Sequence, residues 1–155
     1  MCPLYGWAPR GDRAFGEKPG GTYKNVSVIG AIRQSGLVAM QTVEGPVSGA
    51  IFVGFLRRTL RKRLRQGDLL IMDNLRAHYH RFVRPLVESV DADVAYLPPY
   101  SPDLNPIELV WPVVKRQIRR SSARTVESLR KAIRAAWRNS AHLRFENLLA
   151  TCQYG

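Results

Sequence analysis

The chain has 155 residues, with 24 Lys and Arg against 12 Asp and Glu, a net charge of +12. That length suits one domain with its own core, and a hydrophobic fraction of 45% excludes bulk disorder. No apolar run approaches the roughly 20 residues that span a bilayer, Met1–Trp7 has neither the basic nor the apolar region of a signal peptide, and Cys2 and Cys152 match no zinc spacing or disulfide framework.

A reduced cytoplasmic setting is therefore the default, without membrane association. Nineteen of the 24 basic residues are Arg. Such an excess points to a polyanionic partner, most simply nucleic acid, because neutralising phosphates releases counterions.

The first third reads as β. Residues 1–24 are rich in Gly, Pro and charge, and Trp7-Ala8-Pro9-Arg10-Gly11 looks like a strand end entering a turn. Val26 to Ile32 and Leu37 to Val43 are apolar runs joined by Ser35-Gly36, which predicts an antiparallel hairpin. A long helix should follow, capped by Ser48 and stopped by Gly67. Ile51, Phe52, Phe55, Leu56, Leu60 and Leu64 make its buried stripe. Arg57, Arg61 and Arg65 recur on another face, with Arg58, Lys62 and Arg63 beside them. A basic face of this kind is either a solvated surface or a phosphate-binding one.

The middle reads as α/β. Leu69-Leu70-Ile71-Met72 is an uninterrupted run, as expected of a strand buried on both faces. Phe82, Val83, Leu86 and Val90 suit a short helix, and Val94 to Leu97 a second strand stopped by Pro98-Pro99. The resulting βαβ unit would end both strands on one sheet edge, where open α/β sheets hold their sites. The last third is helical. Asn105-Pro106 is a helix start, followed by the stripe Ile107, Val110, Trp111 and Val114. Thr125 caps another helix, whose buried face is Val126, Leu129, Ile133 and Trp137. Residues 115–144 carry ten Lys or Arg and one acid, Glu127.

Asp73 follows four apolar residues at a strand end. There a carboxylate must be hydrogen-bonded, paired or bound to a cation, and an Asx turn is the simplest alternative. Glu108 stands three residues after Asn105, where a capping box would explain it equally well. Asp103 reads as a turn residue, and His78 and His80 as structural rather than metal ligands. Together, Asp73 and Glu108 would put two carboxylates above one sheet edge. Mg²⁺ takes ligands of this kind together with phosphate oxygens, and paired ions can stabilise an in-line phosphoryl displacement.

Leu97-Pro98-Pro99-Tyr100-Ser101-Pro102-Asp103-Leu104-Asn105-Pro106-Ile107-Glu108 closely resembles a signature of DDE-type transposases, in the bacterial insertion-sequence-630 branch of the mariner superfamily. Leu69 to Asn74, with His78 after it, resembles the segment carrying that family's second catalytic Asp. The 34 residues between Asp73 and Glu108 are the family's typical spacing, and Trp7 to Gly11 resembles a further recurring element.

The resemblance implies an α/β, ribonuclease-H-like mixed sheet flanked by helices. It implies cleavage at element ends and strand transfer by the freed 3′-OH, with Mg²⁺ as cofactor and Mn²⁺ as substitute. Target sites would be TA dinucleotides. It makes Asp73 and Glu108 the second and third catalytic, metal-binding carboxylates; His78 takes no firm role. Arg57, Arg58, Arg61, Lys62, Arg65, Lys115, Arg116, Arg119 and Arg120 are candidate DNA-binding residues. The partners would be element ends and target DNA, with a homodimer or an assembly with an N-terminal transposase fragment, and nucleoid association when DNA is bound. The family's first Asp precedes the Trp-Ala-Pro-Arg-Gly element, and none of residues 1–6 is acidic; Asp12 and Glu44 lie elsewhere in the pattern.

The expectation is thus a single catalytic domain, residues 1–155, without its first strand and without a helix-turn-helix domain, and with little or no strand transfer alone. A catalytically inactive DNA-binding remnant or regulator is the alternative, and an unrelated basic RNA-binding protein the third reading.

Overall fold

The computed structural model describes residues 9–12, 25–121 and 123–154; Trp7 and Ala8 lie outside them. Pro9–Asp12 forms a turn in which the Asp12 N–H donates to the Pro9 carbonyl (3.0 Å) and Gly11 takes φ +101°. The hairpin forms as expected. β1 (Val26–Arg33) pairs antiparallel with β2 (Gly36–Glu44). Its register shifts between Ala31 and Ile32, leaving Val38 as the extra residue of a bulge. The bulge has a packing consequence. Leu37 and Met40, an odd number of residues apart, pack with the same cluster, opposite the cluster that takes Val38 and Ala39.

Ser48 caps α1 (Gly49–Phe55), its hydroxyl accepting from the Ile51 N–H. The long helix then departs from expectation. Leu56–Leu60 widens into a π segment, Arg61–Arg63 tightens into a 3₁₀ turn, and Leu64 leaves the helix at ψ 146°. Changing the residues per turn destroys a four-residue period, so Arg57, Arg61 and Arg65 share no helical face. Gly67 instead serves the turn into the next strand, with φ +79° and its N–H donating to the Asp91 carbonyl (2.7 Å). The apolar stripe survives: Phe52, Phe55, Leu56 and Leu60 are all buried.

β3 (Leu69–Met72) and β4 (Asp93–Tyr96) pair in parallel through α2 (Val83–Glu88). Pro85 is accommodated in the first turn of α2, where an N–H has no intrahelical partner. Two details differ from the sequence reading. Leu69 is 55% exposed, so β3 is not covered on both faces, and Phe82 is 45% exposed, with the Arg81 guanidinium over its ring rather than core side chains.

α3 (Ile107–Arg120), α4 (Val126–Asn139) and α5 (Phe145–Thr151) complete the chain. Asn105 is extended and Pro106 already helical, but no side chain caps α3. α4 has a capping box, Thr125 exchanging bonds with Ser128.

The hairpin is the middle layer. One face packs against α1, the π segment and the βαβ unit, around Ile29, Phe52, Leu56 and Val83. The other packs against α3, α4 and α5, around Val110, Val114, Trp137 and Phe145. Gly30 makes the second contact close: a Cβ there would lie 2.8 Å from ring carbons of both Trp111 and Trp137. Glu44 anchors β2 to α4 through Arg130 (3.0 Å). The mixed α/β class is borne out, with the strands in two small ladders. Among the described residues, no strand joins the β1–β2 ladder to the β3–β4 ladder. No helix of the described residues is long and apolar enough to cross a membrane.

Candidate active site

A cavity of about 450 Å³ lies between the two ladders. Val28–Arg33 of β1 forms one wall and Leu69–Met72 of β3 the facing one, with Phe52 and Phe55 also lining it and the start of α3 along one side. Asp73 and Glu108 both line it. Chain direction places both on its lining: β3 delivers Asp73 at its carboxyl end, and β4 runs into the loop before α3, whose first turn carries Glu108.

Asp73 is held at once by an Asx turn and by the imidazole of His78. Its Oδ1 accepts from the Leu75 N–H (3.1 Å) and lies 2.9 Å from His78 Nδ1. The same ring nitrogen is 3.2 Å from the Asp73 carbonyl oxygen. His78 sits on the 3₁₀ turn Arg76–Tyr79, its ring against Phe52 at 4.4 Å, and its carbonyl accepts from the Tyr96 hydroxyl (3.1 Å). Asn74 donates to the Leu97 carbonyl (2.5 Å) and accepts from the Tyr79 hydroxyl. Tyr79 stacks on Tyr96 at 4.4 Å. Burial pushes the Tyr96 hydroxyl pKa up, with nearby Arg84 opposing and Tyr79 adding to the rise, so this hydroxyl stays protonated and keeps its donated bond. The loop is fixed from both sides of the strand end.

Glu108 is exposed on the first turn of α3. Only its backbone N–H bonds to Asn105 (2.9 Å), and among the described residues its carboxylate has no partner. The capping-box explanation therefore does not hold. Pro112, four residues on, has no N–H to give the Glu108 carbonyl.

Asp103 lies in the 3₁₀ turn Pro102–Leu104 and does not line the cavity. His80 does not join His78; its ring packs on Gly49 and beside Phe82. Arg57, Arg58, Arg61, Lys62, Arg65, Lys115, Arg116, Arg119 and Arg120 are all exposed and none lines the cavity. The sequence reading left His78 without a role; its proximity to Asp73 depends on a turn that spacing alone does not announce.

Among the described residues no group of three His, Cys, Asp or Glu side chains is placed to hold a metal ion. The pair that is present suits a hard cation. Asp73 keeps Oδ2 without a partner among the described residues, Glu108 keeps both oxygens, and Mg²⁺ is commonly held by one or two carboxylates plus phosphate oxygens.

Comparison with known proteins gives the following. A family profile described as "DDE superfamily endonuclease" matches residues 1–130. The Mos1 mariner paired-end complex with Mn matches over 95% of this chain and 46% of its own, at 18% identity and TM-score 0.65. A pre-cleavage Mos1 transpososome matches over 99% and 47%, at 16% identity and TM-score 0.65. The catalytic domain of Mos1 mariner transposase matches over 84% and 68%, at 20% identity and TM-score 0.58. The chain spans about half the length of the first two structures. No curated protein sequence gives a significant match. At these identities the structural likeness establishes a shared catalytic-domain fold.

Proposed function

Because this chain belongs to the DDE superfamily endonucleases, we propose that it acts in DNA transposition, as the catalytic part of a transposase that cuts DNA and transfers the freed 3′-OH to a target. The observation that carries this reading is the cavity that Asp73 and Glu108 share. The motif Leu97 to Glu108 supports the insertion-sequence-630 branch. Mg²⁺ with Mn²⁺ as substitute is supported by the donor set and by the Mos1 structures, whose catalytic domain is described with Mg and with Mn.

In this mechanism Asp73 and Glu108 hold the cation. When bound, divalent ions stabilise the attacking and leaving oxygens of an in-line displacement. His78 and the Leu75 N–H hold one oxygen of Asp73 and leave the other for the cation. The exposed Arg and Lys side chains hold the DNA by its phosphates. The first of the family's three carboxylates is proposed to ride on an extended segment lying between β1 and β3, both of which line the cavity. That segment would come from elsewhere in a longer chain or from an N-terminal transposase fragment. Assembly as a homodimer is proposed on the paired-end Mos1 complexes.

The second reading is a DNA-binding remnant or regulator without activity, which the exposed Arg and Lys side chains would serve equally well. Cleavage of element-end DNA with Mg²⁺ or Mn²⁺ separates the readings. Little or no strand transfer is expected from the chain alone, and nicking once the extended segment is supplied. Asp73→Ala and Glu108→Ala should each abolish nicking while duplex binding persists. Undiminished nicking by both variants overturns the site; no nicking with the segment supplied leaves the regulator reading.

A further inference from the structure

A second concavity, of about 260 Å³, lies along the outer edge of β2, and none of its lining residues lines the cavity that holds Asp73 and Glu108. Among the described residues β2 has no strand partner on that edge. The groove is walled by Thr59 and Arg63 from the π and 3₁₀ segments and by Arg134 and Arg138 from α4, with the buried Trp137 behind them. Three cations and no acid line it. Its location follows from the unwinding of the first helix, which carries Arg63 back toward the hairpin.

Arg63 is held there by two bonds. Its Nη1 donates to the carbonyl of the bulged residue Val38 (3.1 Å), and its own carbonyl accepts from Arg33 Nη2 (2.9 Å). Arg33 is fixed in turn by Asp68 (2.9 Å). The remaining guanidinium N–H groups of Arg63 are available in a set geometry, the condition under which Arg recognises phosphate well. Arg134 and Arg138 are exposed and have no ion pair or hydrogen bond among the described residues. By contrast Arg130 and Lys131 on the same helix are paired with Glu44 and Glu127. Four residues rise about 6 Å along an α-helix, so Arg134 and Arg138 reach two phosphates rather than share one. The Thr59 hydroxyl, without a partner among the described residues, supplies a further donor of the kind that contacts DNA backbones.

We propose that this groove is a second DNA site, which holds duplex DNA by its phosphates through Arg63, Arg134, Arg138 and Thr59, on the side of the hairpin away from the nuclease cavity. The proposal rests on the DNA-processing reading above and adds a surface to it. The groove and the cavity share no lining residue and adjoin where Arg33 of the cavity donates to the Arg63 carbonyl (2.9 Å). The groove contacts backbone alone and contributes affinity without sequence preference.

The test is binding of a labelled DNA duplex of random sequence by fluorescence anisotropy across a salt series. The variant is Arg134→Gln/Arg138→Gln, which breaks no ion pair or hydrogen bond among the described residues. The slope of log affinity against log salt should fall in magnitude by about 2, at about 0.9 for each phosphate no longer neutralised. Adding Arg63→Gln should lower it by about one more, and Lys131→Gln should leave it unchanged. Wild-type protein that binds duplex with the same slope as the double variant overturns the groove and leaves the nuclease reading standing. Wild-type protein that binds no duplex at any salt overturns both.

Discussion

His78 is the side chain on which the geometry of Asp73 depends. A half-exposed carboxylate at a strand end is free to rotate unless something holds it; here the Leu75 N–H and His78 Nδ1 both engage Oδ1. The ring is set by Phe52 beside it, and the turn that carries it is tied to β4 by the Tyr96 hydroxyl. Groups that orient a ligating side chain typically matter by about 10–100-fold in metal affinity or activity. His78→Ala is therefore expected to lower the Mg²⁺-dependent nicking rate of the segment-supplied protein by about that factor. His78→Asn should recover part of the loss, since its amide can donate to Asp73. Mg²⁺ titration of the rate checks this: a raised metal requirement supports orientation of Asp73, and an unaltered rate in His78→Ala refutes it. In the sequence, Asp73 and Glu108 stand out by residue type and spacing. The orientation of Asp73 does not, because His78, which holds it, is set by Phe52 and Tyr96, both distant in the chain.

Packing of the hairpin on α3 and α4 turns on one glycine. The Trp111 and Trp137 rings meet at 5.6 Å over Gly30, and Ile107 also approaches it. Aromatic rings cannot shift as a flexible chain end can. Gly30→Val should therefore cost about 1–3 kcal/mol through overpacking. For a chain of this length that lowers Tm by roughly 2–4 °C per kcal/mol. Thermal unfolding followed by Trp fluorescence reads both the stability loss and the altered ring environment; an unchanged Tm would show that the helices can retreat without cost. Most elements are legible locally: the hairpin, the Ser48 and Thr125 caps, and the stripes of α3 and α4 all follow from residue periodicity. The first helix is not. Its apolar residues keep their burial, yet Leu56–Leu60 widens and Arg61–Arg63 tightens. Leu56 and Leu60 stay buried in the core along that path, and an arginine period carries no information about it.

At the scale of the whole molecule, the central feature is the apolar gap between two strand edges. β1 and β3 both line the cavity, and each has one strand neighbour among the described residues. Hydrogen exchange should therefore divide the strands. Amides of β3 directed to β4 are expected to be protected, while alternate amides directed at the cavity exchange near the rate of open backbone. Supplying the extended segment should slow that second class; uniform protection along β3 without it would mean that the gap is closed in solution. Charge shows the same division between composition and arrangement. An excess of 12 positive charges predicts a polyanion, but only assembly brings Arg63 beside Arg134 and Arg138 and pairs Arg130 with Glu44. The sequence by itself determined the α/β class, the hairpin, the βαβ unit and the Ser48 and Thr125 caps, and it singled out Asp73 and Glu108 as candidates, because period, caps and motif residues act over a few neighbours. Tertiary structure alone decided that Asp73 and Glu108 face one cavity, that His78 holds Asp73, and that three arginines line a groove on the opposite edge. Those outcomes depend on contacts between residues far apart in the chain, which exist only once the layers have packed.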